Sequence, residues 1–425
     1  MNLKYQFAGF LLLMGISVFP QELKTANPDD AGFSAERLNA IDGVIENYVK
    51  NNKVAGAVAL IARNGKIVYH KGIGYSDIKE KRKMQPNTIF RIASQTKAIT
   101  SVAVMMLYEE GKLLLDDPVS KYIPEFKDAG VLDEFNPADS TYTTVPAERE
   151  VTIRDLLTHT SGISYAVIGA KEANAIYAKA GVPAGFVAEP VKLADKMKIL
   201  GGLPLIHQPG ERFTYGLNTD VLGYVVEVVS GKSLDRFFRE RIFGPLQMND
   251  TYFYLPTDKQ DRLAEVYVEN EAGKTVEAPQ VSHGEIDKDY PLLGSTYFSG
   301  GAGLSSTARD YSVFLQMLLS GGEYNGKRLL SPNTVRLMTT NQIGEKSLYH
   351  NNKFGLGFEV VSEEGSSVFP WHKGSFSWGG YFGSHYWADP ESGIVAVILT
   401  QETPNSEWNE ISGKFKNMVY SALME

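Results

Sequence analysis

The chain of 425 residues contains no cysteine. That excludes disulfides, thiolate metal sites, a cysteine nucleophile and an N-terminal lipid-modified cysteine. Histidine is scarce, at 7 residues, and scattered. No His-Glu-x-x-His, no P-loop and no Gly-x-Ser-x-Gly elbow occurs, so three common hydrolytic or nucleotide-binding devices are missing. No basic cluster stands out against a net charge of −8, which speaks against nucleic-acid binding by electrostatics. Past the first twenty residues no apolar run is long enough to span a bilayer.

What is present is the composition of an ordinary globular protein, 43% hydrophobic and 22% charged. The N-terminus has the shape of a secretory leader: Lys4, then an apolar run from Phe7 to Phe19, then polar chain from Gln21. Residues 1–20 are read as a signal peptide and 21–425 as the mature protein, exported to the periplasm or secreted. The alternative is a membrane anchor formed by 7–19. No cofactor, no obligatory protein partner and no nucleic-acid partner is expected.

The pattern along the chain predicts an amphipathic helix over 34–52 with Ser34 as its cap. A β-hairpin follows, 54–63 and 66–70, turning at Asn64-Gly65. From 98 to 240 helical spacing dominates. Helices are expected from 98 to Gly111, 153–157, within 170–200, 221–229 and from Ser233 to Ile242. Residues 128–150 read as a surface loop, and 255–295 as irregular. Further helices are expected at 308–319, 331–339 and 406–423, with strands at 354–361, 367–372, 378–388 and 394–401. Both ends thus supply strands and the middle supplies helices. The fold class is α+β: an antiparallel sheet (28–90 and 300–425) flanked by helices, with an inserted helical part (91–299).

Three stretches could carry chemistry. Phe90-Arg-Ile-Ala-Ser94-Gln-Thr-Lys97 places a serine and a lysine three apart at the start of an apolar helix, on one face. A serine attacks only when a neighbouring base takes its proton, and a helix start favours developing negative charge. Bare Ser-x-x-Lys is a weak pattern; Ser76-Asp-Ile-Lys79 repeats it in a charged loop, read as plain solvated surface. The second stretch is Phe213-Thr-Tyr215-Gly-Leu217-Asn218, where Tyr215 could relay a proton; the competing reading is a core tyrosine, one of 22. The third is Phe376-Ser-Trp378-Gly379-Gly380-Tyr381, whose glycines could admit a substrate backbone or simply bend a strand. His159 reads as a buried hydrogen-bonding residue.

These pieces, in this order, resemble the serine β-lactamase/penicillin-binding-protein superfamily, and most of all its esterase-type branch related to class C β-lactamases. The likeness runs over roughly 28–423. It includes Asp117-Pro-Val-Ser-Lys-Tyr-Ile-Pro124, Leu156-Leu-Thr-His-Thr-Ser-Gly162, Pro209-Gly210, Asp220-Val-Leu-Gly223, Gly300-Gly-Ala-Gly-Leu304 and Trp387-Ala-Asp-Pro390. It implies a β-lactamase/transpeptidase-like fold and a serine hydrolase. Ser94 would be the acylated nucleophile, Lys97 its activator, and Tyr215 would share the acid/base work. The backbone N–H groups of Ser94 and Tyr381 would form the oxyanion hole, with Trp378, Gly379 and Gly380 at the substrate.

Two departures matter. The family's Tyr-x-Asn meets Leu217 here, with Asn218 one step late. Its Lys-Thr-Gly is replaced by Trp378-Gly-Gly380, which removes the cation for a substrate carboxylate and offers an aromatic face. That tilts the expected substrate toward small or neutral esters; a D-aminoacyl peptidase, weak β-lactamase, acyltransferase or non-turning penicillin sensor are the alternatives. His372-Lys-Gly374 is a rival placement of the third motif.

Overall fold

The computed structural model describes residues 22–282 and 286–424. The expected leader or anchor lies outside them. No helix among the described residues is long and apolar enough to cross a membrane.

The first helix, α1 (Ala35–Lys50), starts where Ser34 accepts a hydrogen bond from the Arg37 N–H, and it buries Leu38, Ile41, Ile45 and Tyr48. The hairpin of β1 (Gly56–Arg63) and β2 (Lys66–Asp77) turns at Asn64 and Gly65, with φ of 50° and 78°. Positive φ at both positions is what a tight two-residue hairpin needs, and Asn-Gly tolerates it. Late in the chain come β3 (Phe376–Gly380), β4 (Ser384–Asp389) and β5 (Ile394–Leu399). The central sheet runs Lys24–Thr25, β2, β1, β5, β4, β3, Glu359–Val360, Lys353–Phe354, with Arg82–Lys83 also on β2. Its main ladder is antiparallel as expected, but Lys24–Thr25 adds a short parallel edge, so the sheet is mixed.

Two layers cover it. Ala57, Ala59 and Ile61 face α1 and the closing helix α5 (Trp408–Ser421) through Ile411, Phe415 and Val419. Val58, Leu60, Val395 and Val397 face α2 (Thr96–Glu109) and α4 (Ala308–Leu319). Strands buried on both faces read as unbroken apolar runs, which is why β1 and β5 show no alternation. α2 is buried from Thr96 to Leu107 and packs along α3 (Asn218–Ser230).

Several expectations need correction. Residues 128–150 are not a loop: Gly130–Asn136 and Thr141–Pro146 pair as a hairpin around a polar turn. Ser367 to His372 is not a strand. A short helix, Glu363–Ser366, capped by Ser362, ends there instead. The expected strand 354–361 is two short strands, Lys353–Phe354 and Glu359–Val360, folded back on each other. The expected strand from Trp378 to Ala388 is a hairpin, because Gly383 at φ 80° reverses the chain between β3 and β4. Trp378-Gly-Gly380 therefore ends one strand, and the strand beside it runs into the Asp389 turn. Sequence periodicity cannot see a reversal when apolar residues continue on both sides of it.

Candidate active site

The site forms where the end of β3 meets the entrance of α2. Ala93, Ser94 and Gln95 make a single tight turn that leads directly into α2. Ala93 sits at φ 45°, a left-handed conformation that costs a residue with a Cβ about 1 kcal/mol or more. That bend leaves Ser94 half-buried while its neighbours on both sides are buried.

Lys97, one turn on, is 2% exposed. Its Nζ donates to Ser94 Oγ (3.3 Å), to Tyr165 Oη (2.7 Å) and to the Gly301 carbonyl (2.7 Å). Tyr215 meets the same lysine through its ring, with Nζ 4.7 Å from the centroid. The Trp378 indole N–H donates to Tyr215 Oη at 3.2 Å, and the two rings lie 5.3 Å apart. The structure therefore brings Ser94, Lys97, Tyr215 and Trp378 together from three separate stretches of chain.

Glycines permit the approach. A Cβ on Gly216 would lie 2.2 Å from the Ile163 carbonyl oxygen, so only glycine lets the Tyr215 segment lie against 163–165. A Cβ on Gly380 would lie 2.6 Å from the Ile92 carbonyl oxygen, so the end of β3 touches the backbone just before Ser94. Gly379 pairs with His385 and Gly380 with Ser384, which places Tyr381 at the turn next to the nucleophile strand.

Three buried groups at the site escaped the sequence reading as participants. Tyr165 lies 68 positions from Lys97 in sequence, in a stretch with no periodic signal. Burial first, and then the neighbouring Tyr215 and Asp220, hold its phenol well above the usual tyrosine range. It is a neutral hydroxyl at any ordinary pH. Asp220 was singled out only as part of a motif. Its Oδ1 accepts from Ser299 Oγ (2.5 Å) and from the Gly301 N–H (3.4 Å), so it braces the residue whose carbonyl holds Lys97. Burial raises its carboxyl, against the opposing pull of Lys97. His159 is buried as expected. Burial, and then the Lys97 charge, push its imidazole well below the usual range, so it is neutral. It accepts from Asn218 Nδ2 at Nδ1 (2.9 Å) and packs against Tyr215 at 4.9 Å. Asn218 thus supports the ring behind Tyr215, and the buried Leu217 precedes α3.

The rival third motif lies elsewhere. His372 Nδ1 bonds Asp389 (2.7 Å) and its ring packs on Tyr420 of α5, while Lys373 pairs with Glu363 at 2.8 Å. The second Ser-x-x-Lys is also separate, but Ser76 is not solvated loop: it is buried in β2 and tied to Arg82, while Lys79 is exposed. Among the described residues no three His, Asp or Glu side chains are grouped to hold a metal.

The arrangement can perform acyl transfer: a hydroxyl at a helix entrance, a buried amine in contact with it, and a tyrosine held by an indole N–H. Comparisons with known proteins agree. The Beta-lactamase family model matches residues 41–411. An uncharacterized protein of Mycobacterium tuberculosis is 37% identical over 365 residues, 83% of this chain and 87% of that one. Esterase EstB of Burkholderia gladioli is 30% identical over 401 residues, 92% of this chain and 95% of the other. Among solved structures, EstCE1, described as a hydrolase with promiscuous acyltransferase activity, superposes with a TM-score of 0.76 at 28% identity, covering 92% of this chain and 99% of that one.

Proposed function

The chain belongs to the Beta-lactamase family and is a serine hydrolase of that fold, and from this premise we propose that it is an exported carboxylesterase on small or neutral acyl esters. Ser94 Oγ attacks the ester carbonyl, and its proton passes to the Lys97–Tyr215 pair. The carbonyl oxygen, now negative, is held by the N–H groups of Ser94 and Tyr381. The alcohol leaves with a proton returned by the same pair. Water then repeats the sequence in reverse on the acyl-Ser94 ester.

The observation that carries the substrate choice is the Trp378 N–H on Tyr215 Oη, 3.2 Å. Where the lactamase branch sets a lysine, this chain sets an indole that spends its one donor on the tyrosine. A substrate carboxylate finds no cation from this motif. Peptidase and β-lactamase activity, which act on carboxylate-bearing substrates, are thereby disfavoured relative to ester cleavage.

The test is intact-mass detection of the acyl adduct with p-nitrophenyl butyrate, a β-lactam and a D-Ala-D-Ala peptide. An ester adduct that turns over is the expected result; a stable adduct without turnover would favour a penicillin sensor. Ser94→Ala should abolish labelling by a fluorophosphonate probe and Ser76→Ala should not; the reverse would sink the assignment. Export predicts a mature N-terminus near residue 21, read by the mass of the secreted protein.

A further inference from the structure

The segment that follows β5 bonds the backbone that flanks each half of the proposed oxyanion hole. On one side lies the two-residue strand Phe90–Arg91, which ends three residues before Ser94. Its outer edge pairs with Ser305–Ser306, and the Ile92 N–H bonds the Leu304 carbonyl at 3.0 Å. On its other edge Ile89 bridges Leu263, and among the described residues no strand continues that pairing at Arg91. There the side chain of Gln401, 4% exposed, takes a strand's place. Its Oε1 accepts from the Arg91 N–H at 2.8 Å, and its Nε2 donates to the Arg91 carbonyl at 3.4 Å. A carboxamide carries the same donor and acceptor as a peptide group, so one side chain completes the ladder.

On the other side lies the turn from Gly380 to Gly383. The Phe382 carbonyl, one residue past Tyr381, is held twice: by Thr400 Oγ1 at 2.8 Å and by the Glu402 N–H at 3.1 Å. Ser384 Oγ donates back to the Thr400 carbonyl at 3.3 Å. Three consecutive residues, Thr400, Gln401 and Glu402, therefore clasp both backbone pieces. The pieces are already in contact, as the Gly380–Ile92 approach shows.

We infer that Gln401 and Thr400 are positioning residues for the oxyanion hole: they set the separation of the Ser94 and Tyr381 N–H groups without touching substrate. This rests on the proposed acyl-Ser94 chemistry. Donors aimed at an oxyanion act only when fixed within tenths of an ångström of where the charge appears. Such fixing favours the transition state over the bound ester, so its loss lowers kcat and leaves KM in place.

The experiment uses Gln401→Met, close in size and without the amide, and Thr400→Val, which deletes only the hydroxyl. Each is compared with the wild-type chain on p-nitrophenyl butyrate and on the matching thionoester, whose sulfur is a poor hydrogen-bond acceptor. Removal of one whole donor costs about 100- to 1000-fold in other acyl-transfer enzymes. A displaced donor pair should cost less, about 10- to 100-fold in kcat for Gln401→Met and about 3- to 10-fold for Thr400→Val. KM should stay within about twofold, and the oxoester-to-thionoester rate ratio should fall in step with kcat. Unchanged kcat in both variants, or lost kcat with an unchanged ratio, would overturn the inference. If Gln401→Met does not fold, Thr400→Val decides it alone. If wild-type protein is not acylated at Ser94, the proposed function has failed instead, and the two failures are told apart by the wild-type adduct mass.

Discussion

Lys97 is the residue whose surroundings organise the site. The buried Lys97 Nζ donates to Ser94 Oγ, Tyr165 Oη and the Gly301 carbonyl, one polar contact for each of the three hydrogens an ammonium carries. Tyr165 is the contact that can be removed with least disturbance. Tyr165→Phe deletes one hydrogen bond accepted from the Lys97 side chain, worth roughly 1.5–3 kcal/mol for a charge-assisted bond, or a loss of about 10- to 100-fold in kcat/KM. The pH dependence supplies a sharper criterion. Burial holds the Tyr165 phenol well above its ordinary range, so it is un-ionised across the assay range and contributes no limb to the profile. The variant should therefore be slower by a similar factor from pH 6 to 9, measured on p-nitrophenyl butyrate. A displaced limb would mean that Tyr165 titrates in the working enzyme.

At the scale of elements, the decisive contact is the end of β3 against the turn that opens α2. Both partners are backbone, so neither can yield by a rotamer change. Gly380→Ala sets a Cβ 2.6 Å from the Ile92 carbonyl oxygen. Overpacking of this kind costs typically 1–3 kcal/mol, visible as a lowered melting temperature. The catalytic loss should exceed what that destabilisation explains, because relief of the clash moves β3 away from Ser94. A folded Gly380→Ala protein acylated at the wild-type rate would contradict this reading of the junction. The same junction shows why the hairpin was misread. Residues 378–388 look like one strand because aromatic residues continue on both sides of the reversal, where Gly383 takes φ 80° and the distant Thr400 and Glu402 hold the Phe382 carbonyl. The hairpin at 130–146 was missed for the opposite reason: its second strand is exposed throughout and shows no apolar face.

The whole molecule carries its polar chemistry on one face of the sheet and an unusual lysine under the other. Lys416 of α5 is 8% exposed, with Nζ 3.2 Å from the Trp371 ring centroid and 5.5 Å from that of Trp387. Burial lowers its pKa to about 7, with Glu359 pulling weakly the other way. Between pH 7 and the ordinary lysine value the unfolded chain holds a proton that the folded chain does not. Stability from this group therefore rises with pH through that window, and the penalty is complete below pH 7. The shift corresponds to roughly 5 kcal/mol. Lys416→Met should raise the melting temperature at pH 6–7 and lose that advantage as pH approaches 10.5. A gain independent of pH would mean that the lysine is not neutral in the folded protein.

The order of the motifs, through their resemblance to a known family, pointed to the fold and the candidate set: Ser94, Lys97, Tyr215 and Trp378-Gly-Gly380 are local patterns, written in neighbouring residues. Helix positions followed in the same way, since caps and apolar spacing act over a few residues. What only the tertiary structure decided was the company those residues keep. Tyr165 reaches Lys97 from 68 positions away, Asp220 accepts from the Gly301 N–H from 81, and Gln401 bonds the strand edge at Arg91 from 310. Tyr165 and Gln401 have no local signature, and the motif around Asp220 does not tell which donor it meets. Each is a lone polar residue whose meaning depends on which buried donor or acceptor it meets, and burial is a property of the folded chain.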